Sequence, residues 1–302
     1  MTEIIVGIDD SPGALDALTF ASRLALASGA SLRLATAFPY SDTPSRVNVA
    51  AYRADLESDA RKTLEAARVA TEAAVSGIEA IADPSPARAL HELSERIDAA
   101  LVVVGSTRRG PLGRVVPGST GERLLHGSPC PVAIVPRGYS TAALVRTIGV
   151  GYDGSDESEA ALGAACLVAR RFEAALRVIR VYDATLVGSP ALMTVPGSYN
   201  VHEDFEAQQR EGLDEAVRAL PGELGAEPVF VAGPAGPELA AQSEQVDLMV
   251  VGSRGYGPRA AVLLGGVTHT LIRKAACPVV VLPRGSHGLE PLFGSTAGAA
   301  TA

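Results

Sequence analysis

Ile5-Val6-Gly7-Ile8-Asp9-Asp10-Ser11 and Gly149-Val150-Gly151-Tyr152-Asp153-Gly154-Ser155 are one heptapeptide pattern written twice, 144 positions apart from Asp9 to Asp153. Two further blocks return in the same order. Val102-Val103-Val104-Gly105-Ser106 reappears as Met249-Val250-Val251-Gly252-Ser253, 147 positions on from Gly105 to Gly252. Cys130-Pro131-Val132-Ala133-Ile134-Val135-Pro136-Arg137-Gly138 reappears at the same spacing of 147 as Cys277-Pro278-Val279-Val280-Val281-Leu282-Pro283-Arg284-Gly285. The drift from 144 to 147 is a net insertion of three residues within the second copy. Three matched blocks in one order make the chain a tandem duplication. The first domain covers 1–140, the second 146–285, and the join falls between Tyr139 and Arg146. The stretch 286–302, rich in Gly, Ala, Ser and Thr, is expected to be a disordered tail.

Within the first copy, apolar runs and helical periodicities alternate. Strands are expected over 3–8, 31–37, 78–82, 100–104 and 132–135, and helices over 12–28, 46–75, 86–97 and 119–126. The first strand is nearly all apolar, as suits a parallel strand covered on both faces. Ser11 before Pro12 reads as an N-cap followed by proline at the first helical position. The predicted class is α/β: two tandem Rossmann-like domains, each a five-stranded parallel sheet with helices on both faces. Pro131 and Pro136 bracket the fifth strand, as Pro278 and Pro283 bracket its counterpart. Proline cannot donate to a ladder, so each is an edge strand of its own domain. An apolar edge needs a partner, and the obvious partner is the same strand of the other copy.

Composition narrows the function. The chain has 302 residues, 47% of them apolar and 20% charged, ample for two cores. Aromatics are only 4% and Trp is absent, so those cores are built from Ala, Val, Leu and Ile. A net charge of −8 argues against nucleic acid or an anionic membrane as partner. Cys130, Cys166 and Cys277 are too few and too scattered for a disulfide framework or a zinc site, and read as buried small hydrophobes. The five His show no metal spacing. No basic n-region with an apolar h-region opens the sequence, and no apolar run reaches membrane-spanning length, so a cytoplasmic protein is expected.

In open α/β sheets, ligands bind beyond the carboxyl ends of the strands, where the winding reverses. After strand one come Asp9, Asp10 and Ser11, and in the second copy Asp153, Gly154 and Ser155. Strand four is followed by Gly105-Ser106-Thr107-Arg108-Arg109-Gly110, and by Gly252-Ser253-Arg254-Gly255-Tyr256-Gly257. A glycine-rich turn frees backbone N–H groups to face an anion. Gly118-Ser119-Thr120 and Gly265-Gly266-Val267-Thr268 then open the fourth helix, whose first amides also favour phosphate. The Asp after strand one is an acceptor suited to a ribose hydroxyl or a base. Plainer readings exist: a tight turn or helix–sheet packing for each glycine, helix capping for Asp9 and Asp153, and solvated loop charges for Arg108, Arg109, Arg114, Arg254 and Arg259.

With these residues in view, both copies resemble the universal stress protein family in its tandem form, over about 3–138 and 146–285. The fold this implies is of the HUP type. The family's ATP-binding subgroup carries Gly-x2-Gly-x9-Gly-(Ser/Thr) after strand four. The second copy has Gly252, Gly255 and Gly265 at that spacing, then Gly266 in place of Ser or Thr. The first has Gly105, Gly118 and Ser119, with Arg108 in place of the second glycine. Arg108 either obstructs close phosphate approach or grips it, and the hydroxyl of Thr268 is a substitute for the one missing at Gly266. The second copy is the better expected site. The resemblance further implies that Gly7 and Gly151 lie beneath the ligand and that Ala37 and Val181 supply adenine-contacting backbone. The implied ligand is ATP, with or without Mg2+. It also implies intrachain pairing of the fifth strands, with homodimers of whole chains left open.

Other motifs fail. Gly149-Val150-Gly151-Tyr152-Asp153-Gly154 has the dinucleotide spacing, but its first two glycines lie inside a strand, and Glu173 precedes strand two rather than ending it. There is no Gly-Lys-(Ser/Thr) loop and no Gly-x-Ser-x-Gly elbow. The sequence therefore reads as a nucleotide-binding stress or regulatory protein without a catalytic constellation, hydrolysing ATP slowly at most. The alternatives are a nucleotide-free interaction scaffold and, behind it, a nucleotidyl-transfer enzyme.

Overall fold

The computed structural model describes residues 2–40, 49–106, 112–115, 118–139, 144–183, 198–253 and 265–294. The first copy runs β1 (Glu3–Gly7), α1 (Pro12–Ser28), β2 (Ser31–Phe38), α2 (Val49–Val69), β3 (Val75–Ala82), α3 (Pro86–Arg96), β4 (Leu101–Gly105), α4 (Ser119–Leu125) and β5 (Val132–Val135). The second runs β6 (Thr147–Gly151), α5 (Asp156–Phe172), β7 (Ala175–Tyr182), α6 (Ser198–Arg218), β8 (Glu227–Ala232), α7 (Ala235–Gln242), β9 (Leu248–Gly252), α8 (Gly266–Ile272) and β10 (Val279–Leu282), with a short α9 (Glu290–Phe293) after it.

All ten strands form one sheet in the order β3-β2-β1-β4-β5-β10-β9-β6-β7-β8. Each half is parallel, and the two meet through antiparallel β5 and β10. The register pairs Val132 with Val281, Ala133 with Val280 and Ile134 with Val279. Ala133 and Val280 are equivalent in the repeat, so the pseudo-two-fold axis passes between them. The proline-bracketed strands are thus the middle of the sheet. Because they run antiparallel, the carboxyl ends of the two halves point in opposite directions.

Two apolar layers, one on each face, each run through both halves. One gathers Ile4, Val6, Phe20 and Leu64 with Val150, Ala165 and Leu213; the other gathers Ile5, Leu90, Val102 and Leu124 with Met249, Leu239 and Leu271. Polar contacts across the seam fasten the same joint. Val115 N–H donates to Ala275 C=O at 2.6 Å. Arg273 pairs with Glu122 at 2.9 Å, and Arg114 pairs with Glu244 and donates to Lys274 C=O. Arg114, which the sequence placed beside the phosphate loop, is therefore a seam residue.

Local chemistry sets the helix ends. Ser11 Oγ accepts the Ala14 N–H and Gly29 closes α1 in the left-handed region at φ 75°. Ser155 caps α5 in the same way, but there the left-handed position is taken by Glu173, at φ 52°. Helix α2 ends at Val69, not at 75 as its composition suggested, and β3 begins at Val75. The Thr71 hydroxyl accepts the Ala73 N–H at 3.1 Å, turning the chain so that Val75 can pair with Leu32.

The chain also does not leave the body at Ser286, as the composition of the tail suggested. Leu289, Leu292 and Phe293 are buried, Phe293 meets Phe172 edge-on at 6.4 Å, and the Thr2 hydroxyl donates to Pro291 C=O at 3.2 Å. Three apolar side chains on one short helical turn repay ordering that Gly and Ser around them oppose. Residues 295–302 lie outside the described chain.

Candidate functional site

The strand order reverses between β1 and β4 in the first half and between β6 and β9 in the second. At each reversal a cleft opens beyond the carboxyl ends, of about 470 Å³ in the first copy and about 440 Å³ in the second. Both are within the range of small-molecule sites.

The first cleft is lined by Gly7, Ile8 and Asp9 from the end of β1, Ala35–Ala37 from β2, Val104–Ser106 from β4, Ser11 and Ala14 at the start of α1, Pro86 and Leu90 of α3, and Gly118–Gly121 at the start of α4. Asp9 accepts the Ser11 N–H at 2.8 Å, a local turn that delivers the chain to its N-cap. The second cleft repeats the plan with Gly151, Tyr152, Asp153, Ser155, Val181, Gly252 and Gly265–Thr268. Ala235 and Leu239 of α7 form the wall that Pro86 and Leu90 of α3 form in the first cleft, and Glu157 and Asp183 also line the second.

Of the residues singled out from sequence, Gly7, Asp9, Ser11, Ala37, Gly105, Gly118, Ser119 and Thr120 come together in the first cleft. Gly151, Asp153, Ser155, Val181, Gly252, Gly265, Gly266, Val267 and Thr268 come together in the second. Asp10 and Gly154 lie in the turns beside them and do not line the walls. Arg108, Arg109, Gly110, Arg254, Gly255 and Gly257 lie outside the described residues.

The glycines divide by cause. A Cβ on Gly7 would stand 3.0 Å from Val104 Cγ1 and 3.2 Å from Leu90 Cδ1, both cleft walls, so glycine here keeps the floor low. One on Gly151 would meet Val251 and Leu239 in the same way, at 3.2 and 3.5 Å. Gly105 and Gly252 have a packing reason of their own. A Cβ there would collide with the carbonyl oxygens of Gly13 and Glu157, at 2.0 and 2.6 Å, where α1 and α5 cross the end of β4 and β9. Nothing lies within 4 Å of a Cβ built on Gly266. The Thr268 hydroxyl donates back to Gly252 C=O at 3.2 Å, so its proton is not offered to a ligand as the sequence had suggested.

Around the second cleft stands a polar cluster that the repeat does not share. Tyr152 replaces Ile8 and donates its hydroxyl to Glu159 at 2.5 Å. Burial, with the neighbouring Glu159 carboxylate, pushes this phenol up to about 12. Arg180 replaces Thr36, lies over the Tyr152 ring at 5.9 Å, donates to Asp153 C=O at 3.1 Å and pairs with Gln209. Burial lowers the Arg180 guanidinium against the pull of Asp153. Glu157 pairs with Arg284 at 3.1 Å. Aligning the copies by their offset would have exposed each of these differences.

Elsewhere the chemistry is quiet. All three cysteines are buried and unpaired, and burial pushes the Cys130 thiol up to about 11 and raises Cys277 further. Among the described residues no three His, Cys, Asp or Glu side chains gather as a metal site, and no helix is long and apolar enough to cross a membrane.

The architecture is a doubly wound α/β domain, duplicated and joined edge to edge, with one cleft at each winding reversal. The chain belongs to the universal stress protein family, a stress-response family whose model matches residues 1–136 and again 145–283. Universal stress protein Rv2623 of Mycobacterium tuberculosis is 30% identical over 293 residues, covering 92% of this chain and 95% of that protein. Universal stress protein Rv2319c of the same organism is 32% identical over 200 residues, covering 64% of this chain and 68% of that one. Among solved structures, a universal stress protein from Archaeoglobus fulgidus superposes with a TM-score of 0.64 at 20% identity, covering 94% of this chain and 98% of that chain. This last likeness is one of fold.

Proposed function

We propose that the chain is a non-enzymatic regulator that binds ATP in its two clefts and reports nucleotide state through its conformation or its contacts. The observation that carries this reading is the paired cleft itself. Each lies at a winding reversal, is floored by a strand glycine and is flanked by the Asp that ends the first strand and the glycines that open the fourth helix. The volume suits a nucleotide, and the low floor at Gly7 and Gly151 admits a flat ring or ribose. Any Mg2+ would arrive with the phosphates, since the lining holds no preformed cluster among the described residues. Mass spectrometry of protein denatured directly after purification tests the reading. Co-purified ATP, and two ATP per chain by calorimetric titration, are expected. Protein that arrives empty and takes up no nucleotide at millimolar concentration refutes it.

One observation favours a nucleotide-free scaffold. Gly105 and Gly252 are demanded by helix packing whether or not a ligand is present, so the glycine pattern alone does not require a nucleotide. The same titration separates the two readings.

A further inference from the structure

We propose that the two clefts bind their nucleotides cooperatively, because a segment of the first copy closes the end of the helix that opens the second cleft. The proposal rests on the nucleotide reading above. Helix α8 has seven residues, too few to hold by themselves. It lines the second cleft through Gly266, Val267 and Thr268 at its start and Leu271 near its end. The N–H groups of Lys274 and Ala275 both donate to Leu271 C=O, at 3.0 and 2.8 Å, and so form the turn that ends the helix. The carbonyls of that turn are taken by the first copy. Ala275 C=O accepts the N–H of fully buried Val115 at 2.6 Å. Lys274 C=O accepts from the Arg114 guanidinium at 3.1 Å, which also sets a cation at the negative end of the helix. Glu244, just beyond α7, holds that guanidinium in place.

The same stretch of chain serves the first cleft. Val115 stands three residues before Gly118, which lines that cleft together with Ser119, Thr120 and Gly121. Glu122 follows at once and pairs at 2.9 Å with Arg273, the residue that caps α8. The approach to α4 and its first turn are thus tied to the end of α8 by a buried backbone bond, a guanidinium cap and an ion pair. A nucleotide seated against Gly118 and its neighbours fixes Val115 and Glu122, and through them the turn behind Leu271. The second nucleotide then has less left to order. The clasp is one-sided: at the repeat offset Arg114 becomes Ala261, and the Glu122–Arg273 pair becomes His269 and His126. The His126 ring nitrogen Nδ1 is turned onto its own helix, donating to Glu122 C=O at 2.5 Å. Coupled binding is reciprocal even so, and either nucleotide favours the other.

A double-variant cycle, titrated with ATP by calorimetry on the full chain, tests this. Gly7→Val closes the first cleft by adding bulk at its floor, and Arg114→Ala cuts the clasp at a residue that lines neither cleft. With Arg114 in place, closing the first cleft is expected to weaken ATP at the second about fivefold, the scale of one partly exposed charged contact. In the Arg114→Ala background the same closure should change it by less than about twofold. An Arg114 that merely props up the second cleft would give the same loss with the first cleft open or closed, and that result overturns the proposal. Hydrogen exchange gives a second reading that does not depend on Gly7→Val folding. In Gly151→Val, whose second cleft is closed, ATP should still slow exchange of the amides of 266–275 by about threefold or more, and adding Arg114→Ala should abolish the slowing. Exchange that ATP leaves unchanged in Gly151→Val overturns the proposal as well. A wild-type chain that takes up no ATP overturns the nucleotide reading itself, and the proposal with it.

Discussion

Replacing Val280 with Asp would place a carboxylate on the pseudo-two-fold axis. Val280 is 1% exposed, lies opposite fully buried Ala133, and belongs to a strand flanked on both sides by β5 and β9. Losing the burial of one aliphatic side chain costs about 1.5–3 kcal/mol. An ion left there without a partner costs several more, or is neutralised at comparable expense. About 5 kcal/mol in total matches the lower end of what holds a domain together. At the sensitivity of chains somewhat smaller than this one, that is a fall in melting midpoint of about 10–20 °C. The seam carries both apolar layers, so its failure should also expose surface to a hydrophobic dye. Val280→Ala serves as the milder control, losing about 1–3 kcal/mol without a charge. Differential scanning calorimetry with parallel dye titration reads both effects. A Val280→Asp protein that melts within a degree or two of the parent and binds no more dye would show that this strand is not buried at a joint between the halves.

Glu173 sits in the left-handed region at φ 52°, where the repeat has Gly29. Glu173→Gly should raise stability by about 1 kcal/mol, seen as a midpoint a few degrees higher; a lower midpoint contradicts the assigned backbone. Gly266→Ser meets open space and restores the hydroxyl that Ser119 supplies in the first copy. Calorimetry should find nucleotide binding at the second cleft tightened about threefold to tenfold, the worth of one hydrogen bond, and no change would show that this helix start does not face the ligand. Burial disfavours the Asp83 carboxylate, but the Arg88 fork at 2.7 and 2.8 Å and the Ser85 N–H outweigh it and hold its pKa below the ordinary value. The stability this contributes is complete above the unfolded carboxyl value of about 3.9 and is lost as pH falls through the lower folded one. Asp83→Asn should therefore lower stability at neutral pH and flatten its acid dependence in urea titrations; an unchanged acid limb would contradict this.

The sequence spelled out its sheet because the informative residues are backbone-restricted ones. Proline at 131, 136, 278 and 283 forbids central ladder positions in an isolated domain, and that left the fifth strands nowhere to go except against each other. The repeat offset makes Ala133 and Val280 equivalent, and the structure sets them opposite each other at the middle of the joint. Where the signal was compositional, it misled. Thr71 ends α2 through a hydroxyl turn inside a run of good helix formers. Gly77, outside the expected strand 78–82, is a strand residue beneath the Arg33 guanidinium, where a Cβ would come within 2.6 Å of Nη1. Leu289, Leu292 and Phe293 carry helical spacing that the surrounding Gly and Ser obscured. The cleft glycines and aspartates were found by their place after strands. Glu157, Tyr152 and Asp183 were not, because they are departures from the repeat and only their positions in space give them a role.

The hydrogen bond between Thr2 and Pro291 brings residues 289 positions apart into contact, and so closes the polypeptide into a near-ring. A circular permutant that begins at Leu144, runs through Phe293 across a short engineered link to Thr2, and ends at Tyr139 would keep the seam, both apolar layers and both clefts. Such rearrangements are tolerated where chain ends lie close together at the surface. Which half comes first is then a matter of how the gene is laid out, and the folded protein is indifferent to it.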